Sequence, residues 1–205
     1  MTPEYWPNAK RALARSDAIL AGIIRAHPKI ALARRGEPFF TLARAIVGQQ
    51  ISVKAAQSVW NRLEAALPAV IPEAVLALDR GALRACGLSE RKVEYIADLA
   101  RHFADGIARV ERWPKMDDED VIAELVRVRG IGRWTAEMFL IFNLLRPDVF
   151  PLDDLGLQKA VRLHYFKGRK VSLARMRKLG ATWAPWRSVA TWYLWRSLDP
   201  VPVEY

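Results

Sequence analysis

Apolar residues recur at three- and four-residue steps through almost every segment of this 205-residue chain, and strand-like alternation is nearly absent. Residues at i, i+3, i+4 and i+7 share one face of a helix, so only other helices are present to cover those faces. Between Ser52 and Ala66 the stripe is Val53, Ala56, Val59, Trp60, Leu63 and Ala66. After Ser89 it is Ile96, Leu99, Ala100 and Phe103. Caps and breakers set the boundaries. Ser16 or Asp17 opens a helix that His27-Pro28 stops, Pro38 opens one to Val47, and Ser52 and Ser89 open longer ones. Short helices fit 73–78 and 80–85. Asp117 or Asp118 opens a helix to about Val128, and further helices are expected over 133–145, 155–165, 172–182 and 186–197. The acids of Asp117-Asp118-Glu119-Asp120 suit the positive end of a helix dipole and need no catalytic role. The expected fold class is all-α.

Charge narrows the partner. The net charge is +10, and the residues from Leu155 to Tyr205 hold ten Lys/Arg against two acids. A surface this basic suits a polyanion. Nucleic acid is the first candidate, ahead of an acidic membrane surface or a merely solvated face. The single cysteine, Cys86, excludes an intramolecular disulfide framework and a multi-cysteine metal centre. His27, His102 and His164 show no metal-ligand spacing. No apolar run reaches membrane-spanning length, so a reducing, intracellular setting is expected.

The most informative stretch is Leu125-Val126-Arg127-Val128-Arg129-Gly130-Ile131-Gly132-Arg133-Trp134-Thr135-Ala136. Two glycines bracket one apolar residue between two amphipathic helices. Glycine permits a tight turn, and the following helix start offers free N–H groups to a phosphate oxygen. Ile131 should point inward, with Arg129 and Arg133 adding charge beside the turn. Taken alone, the pattern fits a plain helix–helix turn equally well. Twenty positions beyond Trp134 stands Asp154, within Phe150-Pro151-Leu152-Asp153-Asp154-Leu155-Gly156-Leu157.

Together these segments resemble the helix-hairpin-helix DNA glycosylase superfamily, and the chain is similar to compact members of the bacterial 3-methyladenine DNA glycosylase II family. It departs from the pattern at Arg129, where family hairpins usually carry proline. The resemblance implies two helical lobes with a DNA- and base-binding cleft between them, in one unit over 1–205. The central lobe would cover about 35–145, including the hairpin over 126–135. The N-terminal helices and 150–205 would form the other.

The resemblance also implies roles. Asp154, at the start of the next helix, matches the catalytic carboxylate; Asp153 reads as a cap or supporting residue. Gln50, in Ala45-Ile46-Val47-Gly48-Gln49-Gln50-Ile51-Ser52, matches the wedge that fills the gap left by a flipped nucleotide, with Gln49 as the neighbour that could share the task. Trp134, Met138 and Trp195 are the base-pocket candidates. Trp134 stands where strand-cleaving relatives carry lysine, which predicts hydrolysis without a Schiff base. Gly130, Gly132, Arg133, Thr135 and Arg187 are candidates for DNA phosphate contacts, as are Lys159, Lys167, Arg169 and Lys170. No cofactor is expected to be required. A structural Na+ or K+ on the carbonyls of Val126, Val128 and Ile131 is implied.

The leading expectation is a monomeric, cytoplasmic, nucleoid-associated base excision enzyme that hydrolyses alkylated purines from duplex DNA and uses no membrane. A glycosylase for uracil, hypoxanthine or an oxidised purine shares most of these features. A non-catalytic hairpin DNA-binding protein would need the turn and the charge but no pocket aspartate.

Overall fold

The structure is a computed structural model that describes residues 2–29 and 31–198. It is all-helical, as the periodicity predicts: α1 (Trp6–Ser16), α2 (Ala18–Ala26), α3 (Pro38–Gly48), α4 (Val53–Ala66), α5 (Pro72–Ala77), α6 (Arg80–Ala85), α7 (Glu90–Ala104), a 3-10 turn (Trp113–Lys115), α8 (Asp118–Leu125), α9 (Arg133–Phe142), α10 (Leu155–Phe166), α11 (Leu173–Ala181) and α12 (Arg187–Leu198). No strand occurs among the described residues, and no helix there is long and apolar enough to cross a membrane.

The caps act as their sequence suggests. Asp17, Ser52, Asp79, Ser89 and Ser172 each accept a main-chain N–H from the first turn of their helix. Three elements differ from the periodicity reading. Helix α1 precedes Asp17 and buries Trp6, Ala9 and Leu13. Helix α8 stops at Leu125, and turns carry the chain on to the glycines. Helix α9 ends at Phe142 rather than 145, because Leu145 turns left-handed (φ 55°) and Arg146 N–H closes on the Leu140 carbonyl.

The chain divides into two compact units, and the division falls inside α9, after Phe139. One unit is the single stretch 35–139. In its core α3 packs on α7 and α4, and α5 packs on α7. Edge-on aromatic contacts run Phe39–Phe103 (5.3 Å), Phe103–Trp113 (6.0 Å) and Trp113–Phe139 (5.3 Å). The other unit joins 2–34 to 140–198; residues 199–205, which the expected second lobe includes, lie outside the described residues. In it α1 and α2 pack on α12, and α10 packs on α12. Trp6 stacks on Tyr193 at 5.9 Å. Asp17 accepts from Tyr165 Oη (2.7 Å) and Trp183 Nε1 (3.0 Å), tying the start of α2 to the C-terminal helices.

Candidate active site

In the unit over 35–139 the hairpin turn is fixed from several sides. Gly130 has φ +82°, and a Cβ there would sit 2.2 Å from the Tyr95 ring. Both facts require glycine. Gly132 meets neither demand: its φ is not positive, and a Cβ would meet no atom within 4 Å. It is exposed at the start of α9, on which its carbonyl accepts the Ala136 N–H. Ile131 is buried at 4 % exposure, so the turn is pinned by its middle residue. Asp98 of α7, itself buried, accepts the Arg129 N–H at 2.9 Å. Proline at 129 would lack that donor.

The Gln49–Gln50 loop belongs to the same unit. Gln49 donates its side-chain amide to the Gly130 carbonyl at 2.8 Å, so its polar end is joined to the hairpin. Gln50 is exposed and left-handed at φ 59°. A non-glycine residue holds that conformation only where its surroundings fix it. Trp134 is 38 % exposed on the first turn of α9. Met138, four residues on, is half-buried on the same face.

Three phosphate candidates have partners or burial that the sequence leaves open. Arg133 pairs with Glu119 and, through Nε at 3.1 Å, with Glu137. The Glu119 hydrogen bond raises the pKa of that guanidinium further. Arg187 forms a two-point pair with Asp148, through Nε at 2.7 Å and Nη2 at 2.8 Å. Thr135 is buried at 7 % exposure, so its hydroxyl is not a surface group. Spacing in a sequence shows a cation but not the carboxylate that satisfies it. The exposed Lys159, Lys167, Arg169 and Lys170 remain as surface charges.

The unit that joins 2–34 to 140–198 holds the carboxylate. The loop before it is pinned at the start of α12: Val149 N–H donates to Ser188 Oγ at 2.8 Å, and Ser188 N–H to the Pro147 carbonyl at 3.0 Å. Gln158 Nε2 holds the Leu152 carbonyl at 2.9 Å. At the end of that loop Asp154 caps α10, its Oδ1 accepting Leu157 N–H (2.6 Å) and Trp195 Nε1–H (2.8 Å). Gly156 lets these groups approach: a Cβ there would stand 3.2 Å from Asp154 Oδ1 and 3.4 Å from the Trp195 ring. Phe142 stacks on Trp195 at 5.9 Å and 14°. Asp153 is exposed, while Leu155, the residue after the cap, is 79 % exposed.

Two of the predicted residues, Asp154 and Trp195, are thus hydrogen-bonded to each other, and Gln49 is joined to the hairpin. Tyr95 and Asp98 hold the glycine turn, and Phe142 and Gly156 flank Asp154 and Trp195, without having been read from the sequence. The one available signal was glycine at 156, inside the first turn of a helix, where it is otherwise unfavourable.

Trp195 and Asp154 together make a carboxylate oxygen held between a helix start and an indole N–H, with an aromatic face alongside. Such a group can stabilise developing positive charge or position a water molecule. Among the described residues no cluster of His, Cys, Asp and Glu could hold a metal ion.

Known proteins resemble this chain in sequence and fold. The Bacillus subtilis protein YfjP is 41 % identical over 128 residues, covering 62 % of this chain and 45 % of that relative, so the chain spans less than half its length. The crystal structure of a DNA-3-methyladenine glycosidase from Bacillus halodurans superposes with a TM-score of 0.85 at 33 % identity, covering 91 % of this chain and 87 % of that one. The Schizosaccharomyces pombe 3-methyladenine DNA glycosylase in complex with abasic DNA superposes with a TM-score of 0.81 at 29 % identity, covering 97 % and 99 %. The family of HhH-GPD superfamily base excision DNA repair proteins matches over residues 43–185, a span that takes in the Gln49–Gln50 loop, the glycine turn and Asp154, and the chain belongs to that superfamily.

Proposed function

We propose that this protein hydrolyses the N-glycosidic bond of alkylated purines, of the 3-methyladenine and 7-methylguanine type, in duplex DNA, and leaves the strand intact. The observation that carries the reading is Asp154, its carboxylate fixed by Trp195 Nε1 at 2.8 Å and by the first turn of α10. Relatives with DNA-3-methyladenine glycosylase names and a neighbour bound to abasic DNA support it.

A base stacked in a duplex is out of reach, so the nucleotide must be turned out and the gap filled. The exposed, left-handed Gln50 is the side chain suited to fill it. The N–H groups at the start of α9, beside the open Gly132, are suited to a phosphate of the same strand. An alkylated purine is cationic, and the exposed face of Trp134 attracts a cationic ring.

In the reaction, the C1′–N bond breaks and its electron pair leaves with the base, which departs neutral. Positive charge develops on the sugar as in glycoside hydrolysis. A carboxylate about 4 Å away, at an effective dielectric near 20, stabilises that charge by about 4 kcal/mol, close to a thousandfold in rate. Water then bonds to C1′ and gives up its proton to Asp154. No proton need be delivered to a leaving group that is already cationic. Residue 134 carries no amine, so the sugar has no partner for a Schiff base there.

A Na+ or K+ at the hairpin belongs to the same proposal. Main-chain carbonyls suit alkali cations, and the Val128 carbonyl, which accepts the Ile131 N–H at 3.1 Å, has a second lone pair. Val126, Val128 and Ile131 would hold the ion, which would add positive charge near a bound phosphate.

Release of 3-methyladenine and 7-methylguanine from methylated duplex DNA tests the whole reading. Wild type should release both without nicking the strand, and Asp154→Asn should be slower by about a thousandfold. Equal rates from the two proteins would refute the assignment of Asp154. Release of uracil or hypoxanthine in preference would move the substrate class.

A further inference from the structure

Helix α7 touches both DNA-facing loops of its unit, through three residues at three-residue spacing. Side chains so spaced are neighbours on a helix surface. Lys92 Nζ donates to the Val47 carbonyl at 2.7 Å, in the last turn of α3, where carbonyls lack helical partners. Tyr95 lies over Gly130. Asp98 accepts the Arg129 N–H at 2.9 Å. The Gln49 amide then returns from the wedge loop to the Gly130 carbonyl at 2.8 Å, closing a ring of contacts: loop to α7, α7 to turn, turn to loop.

We infer that Lys92 and Asp98 are positioning residues that, with Gln49 and Tyr95, lock the Gln49–Gln50 loop and the glycine turn into one body. The inference rests on the base-flipping reading for its purpose, though not for its geometry. A left-handed non-glycine residue is strained and relaxes when its supports go. Gln50 has three supports: Lys92 on the turn before it, Gln49 beside it and the Ser52 cap just after it. A closed ring makes each support depend on the others, so the loop and the turn keep a fixed separation before DNA arrives. The cost of ordering them is then met in folding and does not weaken binding. The positioning residues touch no reacting atom.

Hydrogen exchange of the free protein, read by mass spectrometry, tests the coupling. Lys92→Met keeps the aliphatic stem and deletes the donor. It should speed exchange in 129–132 as well as in 46–52, by about tenfold. Asp98→Ala, at the far end of the ring, should speed exchange in 46–52 in return. Lys92→Arg restores a donor and should exchange at the wild-type rate. Two results would overturn the inference: changes confined to the segment next to each substitution, or an equal rise in α10, which marks general loosening.

A duplex with an abasic-site analogue beside 2-aminopurine supplies the functional reading. Lys92→Met should lower the unstacking fluorescence and slow single-turnover release of 3-methyladenine by about tenfold, with Lys92→Arg restoring both. The exchange measurement needs neither DNA nor chemistry. Failure of wild type to release any base would therefore refute the glycosylase reading alone.

Discussion

Asp154 does two things with one oxygen. It caps α10 through Leu157 N–H and takes the Trp195 indole N–H. A cap is worth about 1 kcal/mol to the helix, whereas a hydrogen bond to a charged group is worth about 1.5–3 kcal/mol. Trp195→Phe separates the indole donor from the ring, since phenylalanine can still stack on Phe142. We expect single-turnover base release to fall about tenfold or more while the protein stays folded with a stability loss of no more than about 1.5–3 kcal/mol, the worth of the deleted bond. An unchanged rate would reduce the contact to packing. Asp154 was legible from its spacing to the glycine turn and Trp195 from the family resemblance, but the bond between them was not, because they stand far apart in the chain. The same blindness affected Arg133 and Arg187, whose carboxylate partners Glu119 and Asp148 lie 14 and 39 positions away in the chain. Short-range pattern reports the face a side chain occupies and leaves its partner open.

At the level of the elements, the two glycines of the turn have different jobs. Gly130→Ala places a Cβ inside the Tyr95 ring at a positive φ, and should destabilise the protein by about 2 kcal/mol or more. Gly132→Ala meets nothing within 4 Å. Its stability should stay within about 1 kcal/mol of wild type while affinity for abasic duplex DNA falls, because the added methyl group stands where a phosphate would approach. Thermal unfolding and fluorescence anisotropy read the two effects, and a stable Gly132→Ala that binds normally would remove the phosphate role from this turn. The sequence marked both glycines alike; only φ and the neighbouring ring tell them apart. Most helices were legible for a simple reason: Asp17, Ser52, Ser89 and Ser172 are caps followed by apolar stripes. Helix α1 escaped although Trp6, Ala9 and Leu13 keep helical spacing, since no capping side chain announces it. Helix α9 was drawn too long because its apolar stripe runs on through Leu144 and Leu145. Pro147 was the usable warning, as the residue before proline avoids helical backbone.

Across the molecule, tyrosines hold together the unit built from both chain ends. Tyr5 Oη donates to the carbonyl of the left-handed Leu145 at 2.7 Å, and burial pushes its pKa up to about 12. Burial raises Tyr165 and Tyr193 as well, Tyr165 with help from Asp17. A tyrosine whose folded-state pKa exceeds its unfolded value near 10 lends stability that is full below about pH 10. That stability is lost as pH rises through the folded value. The protein should therefore lose stability steeply between about pH 10 and 12, and Tyr5→Phe should be less stable at neutral pH but show a shallower alkaline slope. Denaturant midpoints taken at neutral and alkaline pH check this, and parallel curves for the two proteins would contradict it.

The division of the chain also orders its making. The unit over 35–139 is one continuous stretch, whereas α1 and α2 pack on α12, more than 150 residues further along. On a ribosome the whole stretch 35–139 is made before the first residue of α10. The two leading helices can pack on each other but must wait for α12 to emerge before their remaining apolar surface is covered. The half with the glycine turn can thus form early. The half that carries Asp154 is completed later, so on the proposed function a chain released before α12 would hold DNA without being able to cut a base from it.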